Sequence, residues 1–276
     1  MKLSLIQMNG ALGREKNVDK ACRLIAEAAV SEKPDLVVLP EFFNMMYAFQ
    51  YRDYRYIDWA ERDDGHTMSR MREKAREHGI HIVATIFEEE AAGVYYDTAM
   101  IIDPDGGIIG KYRKVQPAAV RSLEKIYFRY GSYFPVFSIG GWRVGINICY
   151  DTAFPESARC TAINGAELIV APFAAPERNC WREMMVTRAF ENGLYFAPCN
   201  KVGEEGDWVF AGRSMIVDPA GEVVAEADDA TEQIISATLD RDAVYQARRA
   251  RPVFRDRRPE LYKPLCMASE DIPRID

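Results

Sequence analysis

The chain has 276 residues, 48% of them hydrophobic, with a net charge of -7 and six cysteines. That length and apolar content suit a globular α/β protein, and the acidic balance argues against general affinity for nucleic acid or anionic lipid. No stretch approaches the roughly 18 apolar residues of a spanning helix, and "MKLSLIQMNGALG" has too short an apolar run for a signal peptide. Without C-x-x-C pairs the cysteines do not resemble a disulfide framework. A reducing cytoplasm is therefore expected, with most thiols acting as small buried hydrophobes.

In chain order, residues 2–8 alternate as a strand, and Val18, Ala21, Cys22, Ile25 and Ala29 fall on one face of a helix. "PDLVVLPEFF" (34–43) reads as a buried strand closed by Pro40. A polar helix is expected over 67–78, a buried strand over 79–88, and a hairpin over 98–114 turned by Asp-Pro-Asp-Gly-Gly. Beyond residue 142, "WRVGINIC" reads as a strand and "PESARCTAING" as a helix with Pro155 near its start and Gly165 past its end. A strand over 166–173 and a helix over 180–192 come next, then strands over 193–200, 208–217, 221–227 and 233–239, and a helix from Asp240 running into an irregular tail. Apolar strand runs separated by amphipathic helices mean sheets covered by helices. "MIIDPDGGIIG" (100–110) and "MIVDPAGEVVA" (215–225) repeat one strand–turn–strand unit and suggest two similarly built halves, yet no linker divides the chain, so residues 1–276 are read as one domain. Six arginines between Arg248 and Arg258 are interleaved with Asp256, and Glu260 follows. They are read as pairing with the protein's own surface or a second subunit rather than with phosphate.

Cys149 lies where a buried strand gives way to a helix. A thiol at such a corner needs a base or a nearby cation before it reacts. The three histidines, His66, His78 and His81, crowd one polar stretch, away from strand ends, and lack acidic or cysteine neighbours at ligand spacing. They are read as surface or loop residues, and neither a metal site nor a cofactor is expected. The remaining base is a carboxylate in a dry setting. Glu41, directly after "LVVLP" and before two phenylalanines, is the candidate, with a helix cap or an ion pair as its structural alternative. "GKYRKVQ" offers Lys111, Arg113 and Lys114 as the cation that would lower the thiol pKa and neutralise an oxyanion, and spacing does not choose among them.

"LVVLPEFF", "GKYRKVQ" and "GINICYDTAFPE", in that order, resemble the three signature blocks of the nitrilase superfamily of carbon–nitrogen hydrolases. The resemblance extends over nearly the whole chain. It implies a four-layer α-β-β-α sandwich and a Glu–Lys–Cys triad falling on Glu41, Lys114 and Cys149, with Glu124 of "LEKIYF" as accessory glutamate. It further implies a homodimer or larger homo-oligomer, with residues 240–276 at the interface, acting on a small amide or ureido substrate with water. Glu41 would take the thiol proton, and Lys114 with the Tyr150 N–H would hold the oxyanion.

Within that superfamily "LEKIYF", "CNKVGEEG" and "GKYRKV" look most like enzymes that remove a carbamoyl group from an N-carbamoyl amine or amino acid. Thr152 and Ala153 stand where carbamoylases of D-amino acids carry adjacent arginines, which favours an amine or neutral amide unless Arg178 replaces that clamp. Candidate pocket residues are Tyr47, Tyr150, Asp151, Phe173, Arg178, Trp181 and Asn200. Core packing is the alternative for Tyr47, Phe173 and Trp181, helix capping for Asp151, and satisfaction of a strand-end backbone group for Asn200. The rival functions are an amidase for free carboxamides, then a nitrilase, disfavoured by Tyr150 where tryptophan is usual, then a catalytically silent binding protein.

Overall fold

The structure is a computed structural model that describes residues 1–176 and 179–267. Its first half runs β1 (Lys2–Gln7), α1 (Arg14–Ser31), β2 (Leu36–Val38), α2 (His66–His78), β3 (His81–Ala91), β4 (Val94–Ile102), β5 (Ile108–Arg113) and the one-turn helix α3 (Glu124–Tyr127). The second half runs β6 (Val136–Ile139), β7 (Trp142–Ile146), α4 (Pro155–Ile163), β8 (Leu168–Phe173), α5 (Trp181–Asn192), β9 (Tyr195–Asn200), β10 (Val202–Glu205), β11 (Trp208–Ala211), β12 (Met215–Val217), β13 (Val223–Glu226) and β14 (Gln233–Thr238). The helices α6 (Arg241–Ala250) and α7 (Val253–Asp256) follow.

Two six-stranded sheets result, ordered β14-β1-β2-β3-β4-β5 and β13-β12-β9-β8-β7-β6. Each has three parallel strands (β1, β2, β3 and β7, β8, β9) followed by an antiparallel hairpin, and each takes one antiparallel edge strand, β14 or β6. The repeated sequence unit is thus the same hairpin used twice. In one turn Asp103 Oδ1 accepts the backbone N–H groups of Asp105 and Gly107; in the other Asp218 Oδ1 accepts those of Ala220 and Glu222. A glycine with positive φ, Gly106 or Gly221, completes each turn.

Strand alternation sorts side chains into layers. Leu3, Leu5, Leu36, Val38, Val83 and Ile101 meet Val144, Ile146, Leu168, Val170 and Ala197 between the sheets. Ile6, Val37 and Ile82 face the other way, onto Val18, Ile25, Met68 and Met71 of α1 and α2. Ile169, Ala171 and Phe196 face Ala158, Ala162, Met185 and Ala189 of α4 and α5. The fold is the α-β-β-α sandwich that the family resemblance implies.

Several expectations change. The strand expected over 34–43 shortens to Leu36–Val38, with the Leu39 N–H still reaching the Val83 carbonyl, because Pro40 lacks an N–H and Phe42 turns the chain at φ 49°. The strand expected over 208–217 divides into β11 and β12 at Gly212 and Arg213, which have φ of 60° and 57°. The strands β6 and β10 are additions that the sequence pattern does not signal. Among the cysteines only Cys22 and Cys199 are buried; Cys160, Cys180 and Cys266 are exposed, so most thiols are not core residues. Two of the six tail arginines meet the protein's own surface: Arg248 donates to the carbonyls of Gly193 and Ala166, and Arg251 to those of Phe190 and Pro219, while Arg255 and Arg258 pair with the neighbouring Asp256 and Glu260. No helix among the described residues is long and apolar enough to cross a membrane.

Candidate active site

The carboxyl ends of the parallel strands open on one cavity of about 430 Å³, lined by Cys149, Tyr150, Glu124, Tyr47, Phe173 and Trp181 among others. Glu41 lies three residues beyond β2, Cys149 three beyond β7, and Lys114 directly after β5. Both turn points adopt the left-handed conformation at residues other than glycine: Phe42, next to Glu41, and Cys149 itself, at φ 44°. Such backbone costs about 1–3 kcal/mol and persists only where its surroundings hold it. Around Glu41 the holder is Thr85. Its hydroxyl accepts the Phe42 N–H at 2.8 Å and donates to the Pro40 carbonyl at 3.0 Å, while the Glu41 N–H reaches the Phe173 carbonyl at 3.3 Å.

Around Cys149 the holder is Asp151, whose Oδ2 accepts the Tyr112 hydroxyl at 2.6 Å and the Ile148 N–H at 2.9 Å, and whose Oδ1 accepts the Gln116 N–H at 2.8 Å. Burial outweighs these donors and pushes the Asp151 carboxyl up to about 6.

Of the three cations in "GKYRKVQ", the fold turns one inward. Lys111 and Arg113 share a face of β5 and both pair with Glu88. Lys114 is fully buried, with Nζ 2.7 Å from Glu41 Oε1, 2.7 Å from Glu124 Oε2 and 3.3 Å from Asp97 Oδ2. Burial opposes its charge, but Glu124 and Glu41, with Cys149 and Asp97 behind them, hold the ammonium well above the ordinary lysine range. Glu124 takes two further donors, the Tyr47 hydroxyl at 2.6 Å and the Ala118 N–H at 2.7 Å. Burial raises its carboxyl and Lys114 pulls it back.

The thiol departs from expectation. Burial and the charge of Glu41 push Cys149 well above its ordinary range; Lys114 and the Ala174 backbone N–H act the other way but do not prevail. The surroundings thus disfavour a free thiolate, and a base beside the sulfur that takes its proton favours attack.

Tyr47, Tyr150, Phe173 and Trp181 line the cavity. Asp151 and Asn200 do not, which corrects their expected place against substrate. Both are fully buried one layer behind, Asp151 under the Cys149 corner and Asn200 bonded to the Ala175 N–H and to the Ala175 and Gly212 carbonyls. Arg178 lies outside the described residues. His66, His78 and His81 sit at the ends of α2 and the start of β3, away from the cavity. Three further residues at the site, Thr85, Asp97 and Trp208, belong to none of the sequence motifs. The ring of Trp208 stacks on Tyr47 at 4.9 Å and lines the cavity. No local signal marks Asp97 or Trp208, since each acts on residues far off in the chain.

A buried Glu–Lys–Glu cluster beside a thiol in a cavity can move a proton to and from sulfur while an ammonium balances charge. The carbon–nitrogen hydrolase family model matches residues 2–249. The chain belongs to that family, within the nitrilase superfamily. A nitrilase of Pyrococcus abyssi is 36% identical over 269 residues, covering 95% of this chain and 99% of that one. An N-carbamoylputrescine amidase of Arabidopsis thaliana is 35% identical, covering 90% and 89%, and an omega-amidase of Xenopus tropicalis 33%, covering 95% and 96%. Among solved structures, a carbon–nitrogen hydrolase of Helicobacter pylori superposes with a TM-score of 0.92 at 28% identity over 97% of this chain and 98% of that one. An amidase from Nesterenkonia, solved with the acetamide moiety of fluoroacetamide covalently on its active-site cysteine, gives 0.80 at 29% over 96% of each. This carbon–nitrogen hydrolase therefore acts on C–N bonds other than peptide bonds, in linear amides.

Proposed function

We propose that the protein hydrolyses a terminal amide group, a carbonyl carrying an unsubstituted amino nitrogen, with Cys149 as nucleophile, Glu41 as general base and acid, and Lys114 as the charge that steadies both. The observation that carries this reading is the Lys114 ammonium held at 2.7 Å from both Glu41 and Glu124 beside the cavity that Cys149 lines. Glu41 takes the thiol proton as Sγ bonds to the carbonyl carbon, and the oxyanion forms against Lys114 and the Tyr150 N–H. The C–N bond then breaks, Glu41 returns the proton to nitrogen, and ammonia leaves an acyl-Cys149. Water enters, loses a proton to Glu41 and attacks the thioester carbon. The C–S bond breaks and the proton passes back to sulfur. Because burial and Glu41 disfavour the thiolate, proton removal and attack are coupled. Glu124 orients Lys114.

Two substrate types share this chemistry. A carboxamide yields an acid. An N-carbamoyl amine or amino acid yields a carbamic acid, which falls apart to amine and carbon dioxide. Phe173, Trp181, Met184, Trp208 and Val120 make the cavity wall largely apolar. Glu124 is the sole acid among the described lining residues, and it is already committed to Lys114 and Tyr47. Both features favour a carboxamide with an apolar chain over a cationic ureide. The N-carbamoylputrescine amidase likeness keeps the ureido reading as the alternative. Ammonia release from matched carboxamide, ureido and nitrile panels separates them. Cys149→Ala and Cys149→Ser are expected to abolish release while melting like the wild type; substantial turnover by either removes Cys149 as nucleophile.

The same proposal takes residues 1–276 as one catalytic unit with 240–276 at an interface between copies. Sedimentation of a monomer only would refute the second part.

A further inference from the structure

Asp97 is an acid that the scheme above leaves unused. It lies in β4 with its carbonyl accepting the Lys114 backbone N–H at 2.9 Å, and its side chain is fully buried. Its Oδ2 is 3.3 Å from Lys114 Nζ, near enough for ion pairing but not aligned for a hydrogen bond, and among the described residues neither of its oxygens has a hydrogen-bond partner. Glu41 Oε2 is also buried without one. One oxygen each of Glu41, Asp97 and Glu124 lie within 4.8 Å of one another. Three carboxyl groups thus share a single ammonium, Lys114.

Glu124 accounts for itself, with donors from Tyr47, Lys114 and Ala118. Among the described residues the Glu41 side chain has Lys114 alone as donor, through Oε1. What remains is two carboxyl groups in one dry space, with orphaned oxygens on both and no donor between them. Two like charges in that position cannot both persist, and one proton satisfies both groups.

We infer that Asp97 is kept protonated and donates its carboxyl O–H to Glu41, making it a positioning residue for the base. This rests on the reading of Glu41 as the base for Cys149. Burial first, then the charge of Glu41, push the Asp97 carboxyl well above its ordinary range, against the pull of Lys114, which agrees with the geometry. The groups facing it are Glu41 beyond β2, Lys114 beyond β5 and Glu124 of α3. A neutral Asp97 holds Glu41 in place without adding a second uncompensated charge next to a thiol already hard to ionise.

The test uses the full-length protein with Asp97→Asn, whose amide N–H replaces the carboxyl O–H, and Asp97→Ala, which offers no donor. The readout is iodoacetamide alkylation of Cys149 across about pH 5 to 9, followed by mass spectrometry, which needs no substrate. Asp97→Asn is expected to overlay the wild-type profile within about twofold, whereas Asp97→Ala slows alkylation about tenfold or more. A shift of the Asp97→Asn profile to lower pH by about one unit would mean that Asp97 is ionised, and a wild-type profile for Asp97→Ala would mean that it holds nothing. Either result overturns the inference.

If Asp97→Ala fails to fold, melting of Asp97→Asn against wild type decides. A carboxyl raised in the folded state stabilises fully below its unfolded value of 3.8, and that stability is lost as pH rises through the folded value. The melting-temperature advantage of Asp97→Asn should therefore widen with rising pH; a flat difference rejects a protonated Asp97. These outcomes are separate from the ammonia assay. A negative substrate panel with the expected alkylation pattern faults the proposed substrate class, and the reverse faults Asp97 alone.

Discussion

Lys114 and Lys201 are both fully buried in this fold, and they differ in what surrounds them. Lys114 meets three carboxyl groups, two of them with unpartnered oxygens among the described residues, beside the cavity. Lys201, directly after β9, donates to the Met45 carbonyl at 2.8 Å and to Glu205 Oε2 at 2.7 Å. The rest of Glu205 is spent on backbone, Oε1 on the Gly10 N–H and Oε2 on the Tyr47 N–H. Burial lowers the Lys201 pKa despite Glu205, whereas the surplus of negative charge raises that of Lys114. Burial of an ion pair is thus a poor sign of chemistry on its own. The useful sign is an excess of carboxylate with unspent lone pairs next to open space. Lys201 and Glu205 are scaffold: they tie the β9 end to the loop that carries Tyr47, which in turn bonds Glu124.

The sharpest way to break this contrast is to remove each ammonium. Lys114→Met is expected to cost turnover about a thousandfold or more, since charge balance and oxyanion stabilisation go together. Lys201→Met should keep turnover within about tenfold of wild type but destabilise the fold by about 3–5 kcal/mol, because Glu205 is left buried and unpaired. Ammonia release and urea unfolding measure the two effects, and equal losses of turnover would erase the distinction. Tyr47→Phe tests the link between the clusters: Glu124 loses one of three donors, and turnover should fall about tenfold with little change in melting.

Asp151 offers the mildest test, as a buried acid with three donors where Asp97 has none. Its folded pKa, raised from 3.8 to about 6, means that its stabilising contribution is complete below the unfolded value and is lost as pH rises through about 6. Asp151→Asn should lower the melting temperature overall and flatten its fall across that interval. An unchanged slope would show that Asp151 ionises there no differently from an unfolded aspartate.

Much of this was legible before any coordinates, and the reason is local. The β4–β5 and β12–β13 hairpins announce themselves because an Asp at the turn bonds backbone only two and four residues ahead. The corner at Cys149 shows because an apolar strand run and a proline-started helix meet there, and α1 shows through periodicity. The breaks after Val38 and at Gly212 were harder, since apolar residues flank each one on both sides.

The order of the three motif blocks, the paired hairpins and the placing of a thiol at a strand end are properties of the sequence itself, carried by side-chain period and turn chemistry over a few residues. Which lysine turns inward, how Asp97 faces Glu41, why Asp151 and Asn200 stand behind the cavity and how strongly burial disfavours the thiolate were decided only by the tertiary structure. Lys114 and Glu41 are 73 positions apart. The charge balance between them depends on strand ends from both sheets meeting in one dry space, and no local pattern in the chain records that sum.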